Sequence, residues 1–168
     1  MTGDDQMNEE IPVMINMLAI AHYDEMPDYP IQFMTRGRLQ LIRENGMVLR
    51  YRETQPEDED GPAVTSDITL TMTPQRITME REGAFRNTMV FAKGMRFEGV
   101  YSTPYGDMKM GVFTREARCA HADGRGSVHL KYDLEFHGSL ASTNELHLEF
   151  VQESGRKKDG KKNEKTDK

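Results

Sequence analysis

The sequence predicts an all-β protein, an antiparallel up-and-down closed β-barrel of about eight to ten strands. Apolar and polar residues alternate through most of the chain, and this period of two is typical of strands with one buried face. Turn residues interrupt the alternation at short, regular intervals, and no segment shows the spacing of an amphipathic helix. Closing such a sheet removes its exposed edges, and a barrel of about eight strands is either filled by side chains or holds one small ligand.

The first clear alternation is "PIQFMTRGRLQLIRE". It places Ile31, Phe33, Leu39 and Leu41 on one face of a predicted strand. The "ENG" that follows predicts a hairpin turn on Asn45 and Gly46, because both residues tolerate positive φ. The segment "MVLRYRETQ" is then the returning strand, and the acidic loop "PEDEDGP" ends it.

The next four predicted strands are "SDITLTMT", "RITMERE", "FRNTMVFAKG" and "MRFEGVYS", separated by short turns. Their inward positions are rich in methionine, which is unbranched and polarizable and adapts to irregular apolar surfaces. Met72, Met79 and Met89 therefore either fill a closed core or line a deformable pocket. The sequence leaves both interpretations open.

The segment "YSTPYGDMKM" predicts a tight turn between two strands. Pro104 fixes φ near −65° and suits position i+1, and Gly106 accepts positive φ, either at i+3 or in a bulged hairpin. Tyr105 projects from this turn. After it, Met108 and Met110 face inward on the following strand.

The last hairpin, "SVHLKYDLEFH" with "NELHLEFVQ", shows the clearest alternation. Its outer face carries His129, His137 and His147, and we expect the last two to be diagonal neighbours. The chain has neither a His-Glu-x-x-His motif nor paired cysteines, so the sequence predicts solvent-facing imidazoles and no metal site.

Charge and composition exclude several classes of protein. The net charge is −6, divided between a body of −9 and a tail after Gln152 of +3, so the sequence predicts no DNA binding. The single cysteine, Cys119, cannot form an internal disulfide. No segment has the length of an apolar membrane span, and the apolar stretch 11–21 follows acidic residues where a signal peptide needs positive charge. We therefore expect a cytoplasmic protein.

These patterns predict one folded domain, a barrel over residues 10–152. Residues 1–9 are expected to be flexible. The Lys-rich tail 153–168 has almost no apolar surface to bury, so we expect it to be disordered and to make at most weak contacts with RNA or protein.

The motifs just described resemble the YwiB-like family, small uncharacterised bacterial proteins with a calycin-type, lipocalin-like β-barrel and a domain of unknown function. The resemblance spans about residues 11–152 and includes Tyr101 with the Thr103–Gly106 turn, the "F-x-T-x-G" of Phe33 to Gly37, and Tyr132 with Leu134. It implies a barrel with a possible interior ligand. It implies no established activity.

Two functional hypotheses follow. The first is non-enzymatic binding of a small apolar or amphipathic ligand inside the barrel. Its candidate residues are Phe33, Tyr101, Met108, Met110 and Tyr132, with Tyr105 at the mouth. The alternative is a protein or RNA interaction module with a solid core that uses its outer face and basic tail. The chain has no phosphate-binding loop, dinucleotide motif or Gly-x-Ser-x-Gly, so the sequence predicts no cofactor and no catalytic residue, and favours a protein that is not an enzyme.

Overall fold

The structure, a computed structural model, describes residues 9–56 and 63–153. It confirms the all-β prediction with ten strands: β1 (Glu10–His22), β2 (Tyr29–Ile42), β3 (Gly46–Pro56), β4 (Ala63–Met72), β5 (Ile77–Gly83), β6 (Asn87–Phe91), β7 (Arg96–Thr103), β8 (Gly106–Ala122), β9 (Arg125–Phe136) and β10 (Ser139–Gln152). Within the described ranges there is no helix, and so none that is long and apolar enough to cross a membrane. The acidic loop 57–62, residues 1–8 and residues 154–168 lie outside the described residues.

The strands form one antiparallel sheet in the order β6-β5-β4-β3-β2-β1-β10-β9-β8-β7. This is the predicted up-and-down arrangement. The first strand, β1, pairs with the last, β10, in a register that runs from Val13 opposite Gln152 to His22 opposite Thr143. The seam between β6 and β7 is closed by a single bridge, in which Arg86 and Ser102 exchange backbone hydrogen bonds of 2.9 and 2.8 Å. The barrel is therefore nearly closed.

The predicted turn at "TPYG" is present. Thr103 pairs with Gly106, which leaves Pro104 and Tyr105 as a two-residue loop. The Thr103 hydroxyl accepts a hydrogen bond from the Tyr105 backbone N–H at 3.0 Å and donates one to the Gly106 carbonyl at 2.8 Å. Gly106 has φ of 131°, a conformation that a residue with a Cβ rarely adopts.

The prediction for the first hairpin was wrong by one residue. Glu44 and Asn45, not Asn45 and Gly46, carry positive φ, at 64° and 63°. Both central residues at positive φ define a type I′ loop, which the Gly46 N–H closes by donating to the Arg43 carbonyl at 3.3 Å. Gly46 instead begins β3, where a Cβ would lie 2.6 Å from the Ile42 side chain.

The core occupies the lower half of the barrel, which we define as the end that carries turns 43–45, 73–76, 92–95 and 123–124. Inward side chains from every strand except β7 meet there in one apolar cluster. The largest fully buried members are Phe91, Phe150, Ile15, Leu39, Leu49, Ile68, Leu70, Met72, Ile77, Leu130, Leu148 and Val13. Packing at this density leaves little room for added atoms.

Replacing Gly126 by alanine is expected to destabilise the barrel by about 1–3 kcal/mol, because overpacking strains a close-packed core. Gly126 lies opposite Phe150, and a Cβ there would be 2.1 Å from the buried Phe150 ring. Urea denaturation of Gly126→Ala measures the effect, with the exposed neighbour Ser127→Ala as control. Equal stability of the two variants would contradict the packing described.

Candidate functional site

The inward side chains change character along the barrel axis. On β1, Val13, Ile15 and Met17 are buried, whereas Ala19 and Ala21 nearer the upper end are small and only partly buried. The same loss of burial toward the upper end occurs on β3, β5 and β9. On β8 the order is reversed, because Met110, Val112 and Thr114 are buried whereas Cys119 and His121 nearer the lower end are more exposed. The inward residues of the upper half that retain accessible surface, which we call the cup, include Phe33, Thr35, Tyr101, Met108, Tyr132, Leu134, Phe136 and Asn144. Many inward side chains of the upper half thus retain accessible surface, and the lower end carries a separate depression whose lining includes Leu41, Met47 and Cys119.

The structure places most of the predicted ligand-binding residues in this upper half. Phe33, Tyr101, Met108 and Tyr132 are half-buried members of the cup. Met110 belongs to the packed core, with 3 % of its surface exposed. Tyr105, predicted at the mouth, extends from the β7–β8 turn with 83 % of its surface exposed.

Several of these residues are brought together, and one is not. Tyr101 pairs with Met108 across β7 and β8, and its ring lies 5.9 Å from that of Phe136. Tyr132 packs against Phe91, with ring centroids 4.8 Å apart. Phe33 lies on β2, where it pairs with Met17, and β2 is four strands away from β8 in the sheet order. The predicted set therefore lines two walls of the barrel.

Most of the inward methionines fill the core. Met72, Met79 and Met89 are buried in the lower half, whereas Met110 is buried beside Phe136, with which it pairs across β8 and β9. Of the five methionines that the sequence placed inward, only Met108 reaches the cup. The methionine-lined pocket considered from the sequence is therefore a cup lined mainly by aromatic and small side chains.

A polar layer, which we call the floor, lies where the cup meets the core, and it shares Tyr132 with the cup and Tyr51 with the core. It consists of Tyr51, Glu53, Arg81 and Tyr132. Arg81 and Glu53 form an ion pair inside the barrel, with 23 % and 13 % of their side chains exposed. Burial raises the pKa of Tyr132 to about 12, and burial followed by the Glu53 charge raises the pKa of Tyr51. Both phenols therefore remain protonated donors at neutral pH.

Two buried polar atoms in the barrel interior have no hydrogen-bond partner among the described residues. They are Asn87 Oδ1 and Thr114 Oγ1. Asn87 pairs with Arg81 across β5 and β6, and Thr114 pairs with Tyr132 across β8 and β9, so both adjoin the floor. A buried acceptor without a partner costs about 1–3 kcal/mol, and a donor that reached it would recover that energy.

The sequence analysis missed Glu53 and Arg81, although a signal was present. Each continues an apolar series at an inward position, Glu53 after Leu49 and Tyr51, and Arg81 after Ile77 and Met79. A charged residue in phase with a buried face is rare unless it is paired. Glu53 on β3 and Arg81 on β5 are an acid and a base at inward positions of neighbouring hairpins, and this combination indicates an ion pair inside the barrel.

Cys119 is half-buried against the core, and burial raises the pKa of its thiol. A raised pKa disfavours the thiolate that a nucleophile requires. His121, two residues on, stacks on Phe150 at 6.2 Å between ring centroids. This arrangement favours packing roles for both residues.

The outer face of β9 and β10 carries a cluster that differs from the predicted one. His129, not His137, is the neighbour of His147: the two pair directly, with ring centroids 4.3 Å apart. His137 lies in the β9–β10 turn with φ of 52°, so its expected proximity to His147 was wrong. Glu145 lies beside His147 and accepts a hydrogen bond from His22 at 2.9 Å. Burial lowers the pKa of His129, and the bond from His22 lowers the pKa of Glu145.

The raised pKa of Tyr132 predicts a loss of stability at high pH. The folded state holds this proton to about pH 12, whereas the unfolded chain releases it near 10.0. Its contribution is therefore complete below pH 10 and is lost as the pH rises from about 10 to about 12. Denaturation between these pH values measures the slope, which Tyr132→Phe should reduce. An unchanged slope in Tyr132→Phe would refute the assignment.

Removing one charge from the floor is expected to destabilise the protein more than removing one from the surface. Glu53→Gln should cost about 1–3 kcal/mol, because it leaves Arg81 inside the barrel without its counter-charge. Asp67→Asn is the control, since it breaks the exposed Arg52–Asp67 pair on the outer face of β3 and β4, worth about 0–1 kcal/mol. In a chain that already carries Glu53→Gln, adding Arg81→Gln should lower the free energy of unfolding by less than Arg81→Gln does in the natural chain. Additive losses in urea denaturation would show that the two charges do not interact.

Comparison with known proteins agrees with this architecture. The crystal structure of the ywiB protein from Bacillus subtilis superposes with a TM-score of 0.73 at 16 % sequence identity, covering 90 % of this chain and 99 % of that one. At this identity the likeness shows the fold alone. No curated protein matches the chain. The family model for the domain of unknown function DUF1934 matches residues 15–148, and the chain therefore belongs to the DUF1934 family.

Proposed function

We propose that the protein binds one small amphipathic ligand in the cup and is not an enzyme. The observation that carries this proposal is the incomplete filling of the upper half, where inward aromatic side chains retain accessible surface above a packed core. Ligand sites of this kind combine apolar walls with a few placed polar groups. Phe33, Tyr101 and Met108 supply apolar wall, and the floor supplies the polar groups. Tyr105 would contact ligand only at the entrance.

The floor favours a neutral polar head group over a charged one. Arg81 is already neutralised by Glu53, so an anionic head would have to displace a carboxylate that is held inside the barrel. Asn87 Oδ1, which has no donor within the described part of the chain, fits a hydroxyl or amide N–H. The ligand class is therefore an apolar body that ends in a hydrogen-bond donor.

The surroundings of the cup are apolar as well. Large exposed hydrophobic side chains concentrate at the upper half of the barrel, namely Tyr23, Met26, Tyr29, Ile31, Met34, Val100, Tyr105 and Leu140. Exposed apolar surface that is concentrated rather than scattered is typical of ligand or protein contact sites. This distribution supports entry of an amphipathic molecule from the upper end.

The resemblance to calycin-type barrels also supports an interior ligand. It concerns architecture, and architecture alone does not assign a ligand. The lone cysteine, which cannot form an internal disulfide, supports a cytoplasmic location.

A displacement assay tests the proposal. The probe is N-phenyl-1-naphthylamine, a neutral apolar molecule with one N–H donor, whose fluorescence rises in an apolar site, and saturable 1:1 binding is expected. Dodecanol should displace it more effectively than dodecanoate if the floor selects a neutral head. Met108→Arg, which places a charge in the cup, should weaken binding at least tenfold. Val100→Arg, on the outer face of the adjacent strand, should not.

Circular dichroism and thermal melting check that both variants remain folded. If Met108→Arg unfolds, Ala21→Phe narrows the cup without introducing a charge and should weaken the probe instead. Absence of saturable binding by the natural chain, or equal loss in Val100→Arg and Met108→Arg, would refute the ligand site.

The second candidate is a protein-interaction module, and the exposed apolar residues of the β1–β2 hairpin favour it. Met26, Tyr29 and Met34 each expose more than half of their surface there. Deleting residues 155–168 separates the basic tail from the barrel. Probe binding should not change, whereas binding to a protein or RNA partner should fall if the tail takes part.

A further inference from the structure

The geometry points to a binding site for one zinc-class divalent metal ion on the outer face of β9 and β10, with His129, His147 and Glu145 as ligands. This site is independent of the cup, because alternate residues of a strand face opposite sides of the sheet. On β9, His129 points outward and its neighbours Val128 and Leu130 are buried in the core. The site departs from the sequence-based expectation of no metal, because the register brings His129, not His137, opposite His147.

The three side chains are already close to a coordinating arrangement. One ligand atom from each of His129, Glu145 and His147 lies within 4.8 Å of the others. His147 Nε2 and Glu145 Oε1 are 3.5 Å apart. Two atoms that bind the same zinc ion at about 2.0–2.1 Å in tetrahedral geometry are separated by about 3.3 Å. These two therefore need almost no movement, and the ligand atom of His129, which lies within 4.8 Å of them, has to approach by at most about 1.5 Å.

A chain of neighbouring side chains holds Glu145 in place. Glu145 Oε2 accepts a hydrogen bond from His22 Nε2 at 2.9 Å, and His22 Nδ1 lies 2.8 Å from Asp28. This leaves Glu145 Oε1 directed toward His147. A chain of hydrogen bonds behind a ligand is the usual support of a metal site, and its loss typically weakens affinity 10–100-fold.

His129 is contacted from the other side by β8. Arg118 donates a hydrogen bond to His129 Nδ1 at 2.7 Å, and Glu116 Oε1 lies 3.3 Å from the same nitrogen. Contacts at Nδ1 leave Nε2 as the nitrogen available to a metal. When Nε2 coordinates, the ring proton resides on Nδ1, which donates a hydrogen bond to Glu116, and Arg118 gives up its bond to this nitrogen. Glu116 thus stabilises the metal-bound form, whereas Arg118 stabilises the metal-free form.

The ligand types select the metal. Two imidazoles and one carboxylate suit Zn²⁺, Co²⁺, Ni²⁺ or Cu²⁺, whereas Ca²⁺ and Mg²⁺ prefer oxygen ligands only. Three protein ligands leave a coordination position open to water or another donor. The half-buried side chains allow solvent to reach this position.

Zinc titration of the full chain, in competition with a chromophoric zinc indicator, tests the site. One Zn²⁺ should bind per chain, and excess Ca²⁺ should not displace it. His129→Gln and His147→Gln should each weaken zinc binding at least tenfold, and Glu145→Gln should weaken it less. His137→Asn is the matched control, because asparagine tolerates positive φ and this histidine lies outside the cluster; it should leave affinity unchanged.

A second readout separates coordination from general charge effects. With Co²⁺ the natural chain should develop visible absorption bands of tetrahedral character, and the nitrogen resonances of His129 and His147 should shift on zinc addition while that of His137 does not. The glutamine variants must retain their circular dichroism. Absence of saturable zinc binding up to about 100 µM, or binding that survives in both His129→Gln and His147→Gln, would overturn the proposal.

Discussion

The pairing of β1 with β10 is the interaction on which the rest of the structure depends. It joins the two ends of the chain through ten residue pairs, from Val13 with Gln152 to His22 with Thr143. Without it the strands divide into two sheets, β1–β6 and β7–β10, which the single Arg86–Ser102 bridge joins, and β1 and β10 become long unpaired edges. The same ladder brings Ile15 opposite Phe150 in the core and places His22 beside Glu145 on the outer face. Contacts between such distant parts of a sequence carry a large loop-closure cost, so this ladder is where the fold is most demanding to form.

Closure then determines what the interior can hold. The diameter of a barrel grows with strand number, and eight strands are already just wide enough for side chains to fill. This barrel has ten, and bulky residues such as Phe91 and Phe150 fill only the lower half. In the upper half, Ala19, Ala21 and Ser142 occupy inward positions where larger residues would close the space. Since the walls are fixed by hydrogen-bonded strands, they cannot collapse onto this space as loops could.

The sequence predicted the fold better than it predicted the sites. Alternation depends only on local periodicity, so the inward faces of β9 and β10 and the turn at Pro104 were correct. Register depends on pairing partners and on bulges such as that between Thr114 and Glu116, which alternation cannot reveal. That is why His137 was assigned the place of His129. The sequence did not predict β1 as a strand, because its outward residues Leu18 and Ile20 are apolar and partly buried. Apolar residues on both faces hide the period of two, and segment 11–21 then resembles the apolar part of a targeting signal.

The polar floor is the strongest physical reason to regard the interior as functional. Charges inside a protein are costly, and replacing a buried ion pair with well-packed apolar residues is often neutral or stabilising. A barrel that served stability alone would continue the apolar series of Leu49 and Met79 through positions 53 and 81. Glu53 and Arg81 interrupt it at the level where the core ends and the cup begins. An apolar floor would offer a ligand no polar contact, whereas a paired, neutral layer of charges and phenols keeps donors and acceptors at the depth that the head group of an amphipathic ligand would reach.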